Sequence, residues 1–223
     1  IPILQVDGFE ADDIIGTIAT QAGEKGVETY MLTPDKDYGQ LVRENVYMYR
    51  PRHGGGYEKL GVEEIEEKYG ISSPLQVIDL LALMGDSADN FPGCPGVGEK
   101  TAVKLINQFG SVESLIEKSA EVKGKLREKV EGAVEDIKMS KFLATIRTDV
   151  PVNLQMDDLK LVEPDSEKLD EIFTELEFKS FANRVLKKVQ KVQTKATGEL
   201  DLFAPQPADG QEEQKNVSFE TIK

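Results

Sequence analysis

The stretch from Met84 to Ala102, M-G-D-S-A-D-N-F-P-G-C-P-G-V-G-E-K-T-A, constrains this chain more than any other. Asp86 and Asp89 stand three positions apart, and Gly93, Gly96 and Gly98 then make a turn that opens directly into a helix expected from about Glu99. Glycines let a backbone come close to a bound anion, and the free amides at the positive end of the following helix attract one. Lys100 and Lys104 add charge on that helix. The stretch therefore joins hard oxygen donors for a metal to a cradle for a phosphate. Its plainer reading is a glycine-rich connection between two helices.

Two nucleotide-binding loops are excluded by the same residues. In a Walker loop Gly93 and Gly98 would have the right gap, but Glu99 stands before Lys100, and Pro92 and Pro95 remove amides that the cradle uses. The dinucleotide fingerprint fails because Thr101 follows Gly96-Val97-Gly98 where a small residue is wanted, and because Pro74 to Met84 reads as helix rather than strand. No nucleotide cofactor is expected.

Composition narrows the chemistry. Cys94 is the only cysteine and His53 the only histidine of the 223 residues, which excludes an intrachain disulfide and a Cys/His zinc site and nearly excludes a Ser-His or Cys-His triad. Catalysis must rest on carboxylates, lysines or metal ions. No run of about 18 apolar residues exists, and Ile1-Pro2-Ile3 has no signal-peptide character. A cytoplasmic protein without membrane contact is expected. The net charge of −14 argues against a nucleic-acid partner, yet half of it would be neutralised if Glu10, Asp12, Asp13, Asp35, Asp37, Asp86 and Asp89 met around cations. Basic residues cluster elsewhere, in Lys123 to Lys129 and at Arg184, Lys187, Lys188 and Lys191. Such runs are commonly solvated helix faces.

Taken in order, Ile1 to Val6 reads as a strand, and Glu10 to Ala19 as a helix with apolar residues at 14, 15, 18 and 19. Acids in a first turn complement the helix dipole, but Glu10, Asp12 and Asp13 crowd together and would repel without a cation. Thr29 to Leu32 is a second strand ending in Thr33-Pro34-Asp35-Lys36-Asp37, at the sheet edge where ligands of α/β folds collect. That turn also needs no function. Val46 to Tyr49 is a third strand, and Arg50 to Tyr57 an exposed loop holding His53. From Gly61 the pattern is helical: Val62–Tyr69, Pro74–Met84, Thr101–Phe109, Val112–Glu117, a long helix over about 123–146, then Ser166–Leu176 and Phe178–Val189. Residues 190–223 read as a disordered linker.

Gly8-Phe9-Glu10-Ala11-Asp12-Asp13, Thr33-Pro34-Asp35-Lys36-Asp37, and Gly85-Asp86-Ser87-Ala88-Asp89-Asn90 through Gly98-Glu99-Lys100-Thr101-Ala102 resemble three signature blocks. They are similar to those of the 5′-to-3′ exonuclease domain of bacterial DNA polymerase I, in the flap endonuclease superfamily. The resemblance covers roughly residues 1–189. It implies an α/β fold: part of a PIN-like, Rossmann-like parallel sheet over residues 1–60, then a helical subdomain over 61–189 with a helix-three-turn-helix at about 85–109. It implies metal-dependent hydrolysis of phosphodiesters, with Glu10, Asp12, Asp13, Asp35, Asp37, Asp86 and Asp89 holding two Mg²⁺ ions, or Mn²⁺.

By the same resemblance Gly93, Gly96, Val97, Gly98, Lys100, Thr101 and Lys104 would grip duplex or 5′-flap DNA, with K⁺ in the helix-three-turn-helix. The family's first aspartate-bearing strand and threading arch would precede Ile1, and a polymerase module would follow the linker, in a bacterial, nucleoid-associated protein of replication and repair. This implies weak DNA binding and poor cleavage by the chain alone. Two other readings stay open, a non-catalytic duplex-binding helical module and a PIN-like metal-dependent ribonuclease.

Overall fold

Apolar residues at helical spacing and a first turn rich in acids form α1, Ala11–Glu24, whose buried face carries Ile14, Gly16, Thr17, Ala19 and Ala22. The computed structural model describes residues 3–152, 159, 160, 162 and 164–193. After α1 comes β1, Thr29–Leu32, then a 3₁₀ turn, Lys36–Leu41, and the strands β2, Val46–Pro51, and β3, Tyr57–Leu60. β1 runs parallel to β2, with Thr29 opposite Val46 and Leu32 opposite Tyr49. β2 and β3 form an antiparallel hairpin, with Met48 opposite Leu60.

The α/β class stands, but the sheet is mixed where an all-parallel one was expected. The ends of the loop expected at Arg50 to Tyr57 are strand, and Gly54, Gly55 and Gly56, all at positive φ, make the hairpin turn between them. Residues 3–6 form no strand. In the order β1-β2-β3 they have no ladder partner, and Ile3 is 95% exposed. An extended segment without such pairing gains too little to hold a strand. One face of the sheet buries Met31, Val46, Met48 and Leu60; the other carries Tyr30, Tyr47, Tyr49 and Tyr57, with the Tyr49 and Tyr57 rings stacked at 4.8 Å.

The helical part continues the same core. It comprises α2 (Val62–Tyr69), α3 (Gln76–Met84), α4 (Glu99–Phe109), α5 (Val112–Glu117), α6 (Lys125–Gly132) and α7 (Val134–Ala144). α3 is apolar nearly all round, as a helix enclosed by others must be, and Leu80, Leu81, Ala82 and Leu83 are each at most 1% exposed. Its one charge, Asp79, is buried and answered by Lys141 Nζ of α7 at 2.8 Å and by the Val112 N–H of α5. The single long helix expected near 123–146 is two. Gly132 weakens it, and Ala133 at φ −114°, ψ 17° interrupts the ladder between α6 and α7.

The chain divides into two compact units, Ile1–Leu159 and Lys160–Lys223. In the second, α8 (Ser166–Glu175) and α9 (Lys179–Gln193) pair, with the Phe173 ring edge-on to Phe181 at 5.3 Å. Helix therefore continues to Gln193, beyond the expected linker start at residue 190. The remainder of that linker, residues 1 and 2 of the expected first strand, and the side chains of Lys187, Lys188 and Lys191 lie outside the described residues. Among the described residues no helix is long and apolar enough to cross a membrane.

Candidate active site and nucleic-acid interface

Three elements deliver the acids. The N-terminus of α1 carries Asp12 and Asp13; the loop leaving parallel strand β1 carries Asp35 and Asp37; and Gly85-Asp86, just past α3, carries the third block. Asp35 caps the 3₁₀ turn, its Oδ1 accepting the Asp37 N–H at 3.0 Å. Lys36 reaches from that turn to Asp86, Nζ to Oδ2 2.5 Å. Asp86 Oδ1 accepts the Ala88 N–H at 2.8 Å.

The charges act on one another across these elements. Burial pushes the Asp37 carboxyl up to about 6, and the charges of Asp35, Asp86 and Asp89 add to that against a downward pull from Lys36. Burial also raises Asp12, with Asp13 and Asp35 contributing. Asp86 is held below the usual carboxylate range by the Lys36 ammonium, then by the Ala88 N–H. Asp12, Asp13, Asp35, Asp37, Asp86 and Asp89 thus share one electrostatic neighbourhood.

Glu10 and Asp13 take part in local structure. The Glu10 N–H donates to Asp13 Oδ2 at 3.3 Å, closing the α1 cap, and the Arg147 N–H donates to Asp13 Oδ1 at 2.8 Å.

Among the described residues no three Asp, Glu, His or Cys side chains converge tightly enough to form a closed metal-ligand set. The chemistry still suits a hard divalent cation. Every donor is a carboxylate oxygen, and Asp37 Oδ1 is buried without a hydrogen-bond partner. A buried, unpaired oxygen among like charges is costly unless a cation answers it.

The glycine turn begins against the same Asp86. Asp86 and Phe91 exchange backbone hydrogen bonds of 3.1 and 3.0 Å, the Cys94 N–H donates to the Leu83 carbonyl at 2.8 Å, and the Val97 N–H to the Cys94 carbonyl at 3.0 Å. Gly85 and Gly93 cross closely: a Cβ on Gly93, at φ +63°, would lie 2.3 Å from the Gly85 nitrogen. The Phe91, Cys94 and Val97 side chains are buried and pin the turn. Gly96, Gly98, Glu99, Lys100 and Lys104 are exposed, and Thr101 is half-buried.

Within α4, the Thr101 and Ala102 N–H groups bond to the Gly98 carbonyl. Those of Glu99 and Lys100 have no intrahelical acceptor and face an incoming anion. Lys129 of α6 joins them, its Nζ 2.5 Å from where a Cβ on Gly96 would be. The basic run 123–129 contained the signal for this residue, but only the fold shows which of its cations reaches the turn.

Sequence reasoning missed the buried polar side chains that join the acids to the turn. Ser140 Oγ accepts the Gly93 N–H at 2.9 Å. Four residues on, Gln40 pairs with the end of α7, its Nε2 donating to the Ala144 carbonyl and its Oε1 accepting the Ile146 N–H, both at 2.9 Å. Thr17 Oγ1 accepts the Val150 N–H at 3.1 Å. α7 and the segment after it therefore tie together the glycine turn, the Asp37 loop and α1.

Two family models match consecutive parts of the chain: the N-terminal resolvase-like domain of the 5′-3′ exonuclease over residues 1–70, and its C-terminal SAM fold over 72–167. The DNA polymerase I of Bacillus caldotenax is 43% identical over 187 residues, which are 83% of this chain and 21% of that protein. The 5′-3′ exonuclease of Aquifex aeolicus is 38% identical over 192 residues, 86% of this chain and 63% of that protein. This chain thus spans about a fifth of the length of the polymerase relatives it matches. A solved bacteriophage T5 flap endonuclease, in a pseudo-enzyme-product complex with DNA and metal ions, shares the fold with a TM-score of 0.59. It is 23% identical, and the match covers 66% of this chain and 54% of that one. By its two matched domains and these relatives, the chain belongs to the 5′-3′ exonuclease family.

Proposed function

We propose that this chain supplies the carboxylate loops and the duplex grip of a metal-dependent 5′ nuclease that cuts DNA at or near a free 5′ end. The observation that carries this reading is the position of Asp86: its backbone is paired to Phe91 within the glycine turn, while its carboxylate lies in the electrostatic neighbourhood of Asp35 and Asp37. A phosphate held at the turn is thereby indexed to the acids through one short, rigid segment. Asp35, Asp37 and Asp86, with Asp12 and Asp89, would hold Mg²⁺, or Mn²⁺ in its place. Bound ions of this kind supply Lewis acidity and a water of lowered pKa.

The protein's own work is positional. Exposed Glu99 and Lys100 amides with Lys100, Lys104 and Lys129 bind backbone phosphates without reading bases, as a sequence-tolerant nuclease requires. Gln40 and Ser140 fix the Asp37 loop and the glycine turn to one helix, so that the held duplex and the acids keep a constant separation; placement errors of about 1 Å can cost about a hundredfold in rate. Asp13, occupied by the Arg147 N–H, orients α1. A K⁺ ion at the turn is a finer part of the proposal on which no step depends, tested by monovalent-cation dependence of duplex binding. The chain would act beside a polymerase module of the same parent, on nucleoid DNA in a bacterial cytoplasm.

The test is a labelled 5′-flap duplex in Mg²⁺, with this chain alone and within its parent protein. Cleavage that needs Mg²⁺ and is lost in Asp86→Asn is expected in the parent, with much weaker cleavage by the chain alone. The absence of a closed three-acid set among the described residues favours one competing reading, a non-catalytic duplex-binding module. Metal-independent duplex binding with no cleavage in the parent would select it, and a preference for RNA would select a ribonuclease.

A further inference from the structure

We propose that Lys36 is a resident counter-cation of the acidic site, seated on Asp86 in the metal-free protein and displaced into solvent when a divalent ion binds. The inference deepens the nuclease reading and rests on it.

Asp86 has two oxygens with different duties. Oδ1 is fixed by the Ala88 N–H at 2.8 Å, whereas Oδ2, the oxygen free to meet an ion, is covered by Lys36 Nζ at 2.5 Å. The two partners differ in mobility. The Lys36 side chain is 49% exposed and hangs on a flexible stem, while that of Asp86 is 12% exposed and fixed by a backbone bridge. An ammonium in that position can swing to water at little cost, but the carboxylate cannot follow it.

The charges around it give Lys36 a reason to be there. Besides Asp86, its ammonium feels the attraction of Asp37 and Asp35, on either side of it in the chain. It is the cation that opposes the repulsion on Asp37, whose Oδ1 has no partner of its own. Lys36 therefore screens the acids while no metal is present. A divalent ion brings twice that charge and needs the oxygen that Lys36 covers, so the two compete. Competition lowers apparent metal affinity by the fraction of time the oxygen is covered.

The experiment compares the wild-type chain with Lys36→Met, which keeps length and apolar stem without charge. Asp86→Asn serves as the control that removes the contested ligand. Mg²⁺ and Mn²⁺ binding are measured by calorimetry at constant ionic strength. Lys36→Met is expected to bind Mg²⁺ roughly tenfold more tightly than wild type, the size of one half-exposed ion pair plus one removed repulsion, and to melt at lower temperature without metal. Equal or weaker affinity in Lys36→Met overturns the inference while leaving the nuclease reading in place. Binding of neither metal by any of the three overturns both.

A second measurement needs no variant. Amine acylation mapped by mass spectrometry on the wild-type chain should show Lys36 reacting severalfold faster in saturating Mg²⁺ than in chelator, with Lys59 as the unaffected reference. A Lys36 rate that does not change overturns the inference.

Discussion

The glycine turn and the acidic edge meet at Asp86, yet they are built on opposite principles. In the turn nearly every group near the crossing is answered: the Gly93 N–H donates to Ser140 Oγ, the Cys94 and Val97 N–H groups donate to backbone carbonyls, and Phe91, Cys94 and Val97 are buried beneath it. At the acidic edge like charges are gathered against their own repulsion, Asp37 keeps a buried oxygen unpaired, and Lys36 and the Arg147 N–H supply only part of what is missing. The turn is shaped before any ligand arrives. The edge is stressed until a cation does. Local strain of this kind gathers where binding is to happen, and rigid surroundings sustain it.

The largest expected effect breaks the turn. Gly93→Ala puts a Cβ 2.3 Å from the Gly85 nitrogen at a φ of +63°, a clash between two backbones that no side-chain motion relieves. A loss of about 3–5 kcal/mol is expected, seen as a lower midpoint in chemical denaturation. A midpoint within experimental error of wild type would mean that the two strands of the crossing are not rigid.

Next is the edge, where removing a charge should help the metal-free protein. Asp37 is raised to about 6 from an ordinary value near 4. The native state thus holds this proton more tightly than the unfolded chain, and the contribution to stability is present at low pH and lost as pH rises from about 4 to about 6. In chelator at pH 7.5, Asp37→Asn should be about 1–3 kcal/mol more stable than wild type and should lack that decline. Thermal melts of both proteins from pH 4 to pH 8 check the sign. A variant less stable at pH 7.5 would show that the Asp37 charge is already well compensated.

An effect of comparable size, opposite in sign, lies in the connection between the regions. Ser140→Ala leaves the buried Gly93 N–H without its acceptor and should cost about 1–3 kcal/mol. It should also lower DNA cleavage by the parent protein more than duplex binding, since the acids and the turn would no longer share one support. Equal losses in both would reduce Ser140 to a purely structural role.

How much of this could be read in the sequence follows from what each feature depends on. The helix from Glu99 and the strands at 29–32 and 46–49 were legible because spacing and the Gly98 junction act locally. β3 was missed because Tyr57 to Leu60 is a short segment that becomes a strand only by pairing with β2. The break at Ala133 stayed hidden because the apolar positions on either side fit one continuous helix. The acids were visible as types and spacing, but their unequal duties were not. That Asp13 is engaged by Arg147, 134 positions away, and that Lys36 covers Asp86 are facts of tertiary approach. Gln40, Thr17 and Ser140 carried no signal, since a buried polar residue looks like any surface one until its partner is known.

The division of labour between turn and edge is tested most directly by duplex-binding anisotropy across a salt series, in chelator and in Mg²⁺, for wild type, Lys100→Ala and Asp37→Asn. Wild type should bind duplex in chelator and more tightly in Mg²⁺. Lys100→Ala should weaken binding and lower the slope of log affinity against log salt by about one in both conditions, as for one lost phosphate contact. Asp37→Asn should bind at least as well as wild type in chelator and lose the gain from Mg²⁺. An unchanged slope in Lys100→Ala, or duplex binding that vanishes in chelator, would contradict a self-sufficient grip beside a cation-dependent edge.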